Sequence, residues 1–97
     1  MHKNHKYRRM VDRLPKEMKE LMKYLDHECI VIRHHAGSMG WAVHFEIKKE
    51  EFSLVYDRGS LVVIRDPSGE ERCLSPNRNG FNSTISDIAA KIYNELA

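Results

Sequence analysis

Between residues 29 and 65 the chain alternates short β-type segments with turn clusters, and a helical stripe flanks this block on either side. That order restricts the fold more than any other feature. Trp41, Val43, Phe45 and Ile47 alternate with Ala42, His44 and Glu46, the period of two expected of a strand with one buried face. Over Phe52–Asp57, residues Phe52, Leu54 and Tyr56 alternate in the same way with Ser53, Val55 and Asp57. Cys29–His35 and Leu61–Arg65 are β-branched and apolar, as strands favour. Turn clusters at 36–40, 48–51, 58–60 and 66–69 divide these segments. Glu71–Leu74 adds a short fifth strand before a loop over 75–80.

Leu14, Met18, Leu21, Met22 and Leu25 form one apolar stripe and predict a helix over 15–26, with Pro15 suited to its first turn. Ile85, Ile88, Ala89, Ile92 and Leu96 predict a second helix over 84–96. Ser83 is its expected N-cap, and Asp87 lies in the first turn, where the helix dipole favours a carboxylate. Tyr7, Met10, Val11 and Leu14 also repeat at helical spacing, so a short helical turn is expected after a disordered stretch over the first five residues. Short connections make neighbouring strands antiparallel. The expected fold is α+β: a four- to five-stranded antiparallel meander sheet with the N- and C-terminal helices on one face. A length of 97 residues allows one domain. Residues 1–13 read as a partly disordered basic leader and 14–97 as the domain.

Such a sheet leaves its second face open to water or to a partner. With Trp41, Val43 and Phe45 facing the helices, Ala42, His44 and Glu46 point outward. The same alternation assigns Val31, Arg33, His35, Ser53, Val55, Asp57, Leu61, Val63 and Arg65 to the open face, and Ile30, Ile32 and His34 to the helix side. The open face then has an apolar centre rimmed by basic and imidazole groups. Arg33, His35, His44, Val55, Val63 and Arg65 are the candidate binding residues, since arginine beside apolar side chains is a favoured interface composition.

Charge is unevenly spread. The leader carries Lys3, Lys6, Arg8, Arg9 and Arg13 against Asp12, which is +4, while the remainder carries 11 basic and 13 acidic side chains, which is −2. A basic excess confined to the leader argues against phosphate binding by the body. Lys3, Lys6, Arg8, Arg9 and Arg13 are the candidate residues of an alternative, nucleic-acid-binding reading. No apolar run approaches the ~20 residues of a membrane-spanning helix. No secretory h-region follows the charged start, so the chain reads as cytoplasmic, with Cys29 and Cys73 as reduced thiols.

Six histidines raise the question of metal. No Cys-x-x-Cys pair is present, and His44-Ala-Glu46 matches only the first half of the zinc deaminase signature. No nucleophile-elbow, P-loop or dinucleotide fingerprint occurs. Neither metal nor cofactor is expected. Three readings result. The first is a small non-enzymatic interaction module of regulator, inhibitor or immunity type that binds a protein partner, or itself as a homodimer, through the open sheet face. The second is a nucleic-acid-binding regulator using the leader. The third is a small hydrolase or nuclease built on His35, His44 and Glu46.

Overall fold

The computed structural model describes residues 5–25, 29–65, 72–74 and 84–97. Along the chain the elements are α1 (His5–Asp12), α2 (Lys16–Tyr24), β1 (Cys29–Ala36), β2 (Gly40–Ile47), β3 (Glu50–Asp57), β4 (Ser60–Arg65), β5 (Arg72–Cys73) and α3 (Ile85–Leu96). The strands form one antiparallel sheet in sequence order, β1-β2-β3-β4-β5. The architecture is the open α+β meander that the alternating segments imply. The expected turn at 66–69, the loop at 75–80, Lys3 and residues 1–4 of the five expected to be disordered lie outside the described residues, while the fifth, His5, is helical.

The leader is helical from His5. α1 ends where the amides of Arg13 and Leu14 bond back to carbonyls of Arg9, Met10 and Val11. Pro15 then stands in an extended conformation as the N-cap of α2, and its ring disfavours continuing α1 through Leu14 before it. At the other end Thr84, not Ser83, caps α3, its hydroxyl accepting from the Asp87 amide at 3.2 Å. Met18, Leu21 and Leu25 meet Ile88, Ala89 and Ile92 and the inner sheet residues Val43, Phe45, Phe52, Leu54 and Val63 in one core. Phe45 and Phe52 stack across β2 and β3 with ring centroids 5.8 Å apart.

Two hairpins set the register. Lys48 and Lys49 both have positive φ, as do Arg58 and Gly59. Two-residue loops of that kind match the natural twist of paired strands. Gly40 opens β2 where no side chain fits: a Cβ there would stand 1.9 Å from the Tyr56 carbonyl oxygen. β1 carries a bulge between Val31 and Arg33, which leaves Ile32 without a partner in β2. Beside it the Val31 amide donates to the Tyr7 hydroxyl at 3.1 Å, which ties α1 to the outer strand. No described helix is long and apolar enough to cross a membrane.

Candidate functional site

The open face is laid out by rows of paired residues. His35, Ala42, Val55 and Val62 form one row, and Arg33, His44, Ser53 and Ile64 the next. Ile30, Glu46 and Glu51 form a third. Of the candidate residues, Arg33, His35, His44 and Val55 therefore lie together on this face. Val63 and Arg65 do not. Val63 pairs with Leu54 and is completely buried toward the helices. Val31 is likewise turned inward, opposite Phe45.

Both corrections have a local cause. The turn after β3 holds two residues, Arg58 and Gly59, so Asp57 pairs with Ser60, and Leu61, Val63 and Arg65 fall opposite the inward Tyr56, Leu54 and Phe52. Reading Ser60 as part of the turn shifts the register by one and reverses every side chain of the strand. In β1 the bulge has the same effect on the residues before it. Ile30 and Ile32 are in consequence 47% and 45% exposed. Val62 and Ile64, rather than Leu61 and Val63, supply the outward side chains of β4. No helix or strand among the described residues lies on this face.

Arg65 has a different role from a surface contact. Its Nη1 donates to Glu95 Oε1 at 2.6 Å and to the Glu95 carbonyl at 3.2 Å, and its Nη2 donates to Glu50 Oε1 at 2.7 Å. These bonds hold the end of α3 to the β2–β3 turn, and with both carboxylates favouring the charged form they raise the guanidinium pKa further.

His35 and His44 meet edge to face, with centroids 5.6 Å apart. His44 Nδ1 is hydrogen-bonded to the Ser53 hydroxyl, and Ser53 is 1% exposed. Burial lowers the His44 pKa below its ordinary value. Arg33 and His35 lower it further, against an opposing pull from Glu51. The ring is thus neutral near pH 7. A neutral imidazole beside a hydroxyl has the composition of a base–nucleophile pair, but this hydroxyl is closed to a substrate. Glu46 sits a row away from both, opposite Glu51. Among the described residues no three His, Cys, Asp or Glu side chains converge as a metal site.

Cys29 is buried at one sheet edge, where desolvation pushes its thiol up to about 12. Cys73 is exposed on β5 at the opposite edge. Four strand spacings of roughly 4.8 Å put them well beyond disulfide reach. The aromatic pair Trp41 and Tyr56 stacks on the helix-side row, so it does not offer bases a platform on the open face. Of the leader cations, Lys6, Arg9 and Arg13 share one side of α1 against His34 of β1. Arg8 is exposed outside that group, and Lys3 lies outside the described residues.

No protein-family model, no curated protein and no solved structure matches this chain.

Proposed function

We propose that the chain is a small protein-interaction module of the regulator type, acting by binding rather than by catalysis. Its contact surface is the open sheet face, and the occupant is a second copy of the chain. The observation that carries this reading is a face without a described covering element that exposes Ile30 and Ile32 at one edge and bears the half-buried Val55, Val62 and Ile64 on β3 and β4. Exposed isoleucines on an uncovered face favour association over solvation.

Two further features favour a like partner. Glu46 and Glu51 stand at one end of the face, Arg33 in the next row and His35 in the row after it, and beyond His35 Asp57 has Arg58 at 4.0 Å. A two-fold axis in the plane of contact, perpendicular to the strands, sets the basic rows of each copy toward the acidic end of the other, as a self-complementary interface requires. Three strands of about 26 Å and β4 of about 20 Å, at about 4.8 Å spacing, span roughly 470 Å² per chain. Two such faces come close to the ~1,000 Å² that distinguishes a specific interface from a casual contact.

Light scattering after size exclusion tests this. The expected result is twice the monomer mass at low and high salt, reduced to the monomer mass by Ile30→Asp with Ile32→Asp. These side chains stand outside the core, so the variant keeps its fold. A monomeric wild-type chain contradicts the reading, as does a dimer that survives both substitutions.

A further inference from the structure

Lys6, Arg9 and Arg13 recur at i, i+3 and i+7 along the first helix and its last turn. With Met10 and the half-buried His34 they line a cavity of about 390 Å³. None of the three cations is ion-paired among the described residues, whose salt bridges involve Arg58 and Arg65. The dipole of α1 accounts for Arg9 in its last turn but not for Lys6. Lys6 occupies the first turn, where the dipole disfavours a cation, and no acidic residue stands there to compensate. Arg9 and Arg13 form a like-charge i, i+4 pair, which is also unfavourable. Across the cavity, His34 Nε2 is sealed from solvent without a hydrogen-bond partner. Buried ring nitrogens ordinarily have one.

One class of ligand answers the three cations. We propose that this cavity binds a phosphate group. Arg9 and Arg13 present planar forks suited to paired bonds with phosphate oxygens, and Lys6 adds a point charge. A phosphomonoester, near −2, balances the three cations better than one carboxylate does, and a nucleic-acid backbone does so with successive singly charged phosphodiesters. The cavity is many times the roughly 30 Å³ share of a water molecule, leaving room for the group that bears the phosphate. A free phosphomonoester and a nucleic-acid backbone share this chemistry. The site is separate from the open sheet face, since His34 points to the helix side opposite Val43.

The test is a titration of the full chain with inorganic phosphate at constant ionic strength, followed by amide and histidine-ring NMR shifts. The expected response saturates and is confined to residues 5–13 and His34. Arg9→Gln weakens it about tenfold, Arg9→Gln with Arg13→Gln about a hundredfold, and His34→Gln weakens it less than either. Arg9 and Arg13 are exposed, and α1 meets the core through Tyr7, Met10 and Val11, so the fold survives these changes. A linear drift equal to that in chloride overturns the proposal. So does a saturable response that the double variant leaves intact. A short oligothymidylate gives the second arm. Tighter binding than phosphate, lost on the same variants and falling with salt at a slope near −2, assigns the phosphate to a nucleic-acid backbone. Oligonucleotide binding no tighter than phosphate assigns it to a small phosphorylated ligand.

Discussion

Replacing Arg65 by alanine removes the clamp between β4, the β2–β3 turn and α3. The Arg65 side chain is 19% exposed and that of Glu95 21%, so their 2.6 Å bond is largely shielded from water. A charge-assisted bond in such a place contributes about 1.5–2 kcal/mol. Glu50 is 41% exposed, and its 2.7 Å bond, screened by solvent, contributes about 0.5 kcal/mol. The buried aliphatic stem adds about 1 kcal/mol. The expected loss for Arg65→Ala is about 3 kcal/mol, or roughly 12–24 °C in Tm for a domain of this size. Arg65→Met keeps the stem and loses about 2 kcal/mol. A cycle with Glu95→Gln returns a coupling of about 1–2 kcal/mol. Urea unfolding at fixed protein concentration measures all of these. Self-association is expected to be unchanged in the folded variants. A loss below about 1 kcal/mol for Arg65→Ala, or loss of association without loss of stability, refutes the assignment of Arg65 to the helix side.

Two more predictions follow from local geometry. Gly40→Ala forces a Cβ into the Tyr56 carbonyl at a backbone contact that has no flexible atom to yield, so it destabilises by at least ~2 kcal/mol; an alanine variant within ~0.5 kcal/mol of wild type contradicts the close approach. The His44 pKa is lowered in the folded chain, so the unfolded chain binds the proton more readily, and the contribution of this residue is fully present above about pH 6.5 and declines as pH falls through the folded value. NMR titration should place the His44 midpoint below 6.5, and His44→Asn should flatten that part of the stability–pH curve; a midpoint at or above the ordinary value contradicts the buried, Arg33-flanked environment.

The fold was legible in the sequence because its signals are local. The stripe Leu14, Met18, Leu21, Leu25 and the alternation from Trp41 to Ile47 each imply one element and one buried face, and both match the structure. Leu61-Val62-Val63-Ile64 is apolar at every position, so it carries no parity of its own. Its facing is inherited from the hairpin before it. Recognising Arg58-Gly59 as a complete two-residue turn would have placed Val62 and Ile64 outward. The bulge at Ile32 had no such signal. It depends on the fit of β1 against β2 and on Tyr7, which is 24 residues away. The partners of Arg65 were hidden for the same reason: Glu50 and Glu95 are brought to it by the register and by the packing of α3. Ser53 read as an outward serine, and only the pairing of β2 with β3 sets it beside His44.

Docking of two copies through the open sheet face is tested most directly by isotope-filtered NMR on a mixture of labelled and unlabelled chains. The account predicts intermolecular contacts among the methyl groups of Ile30, Ile32, Val55, Val62 and Ile64, with none from the helix side. An absence of intermolecular contacts at high protein concentration, or contacts that arise from α2 and α3 instead, would contradict it.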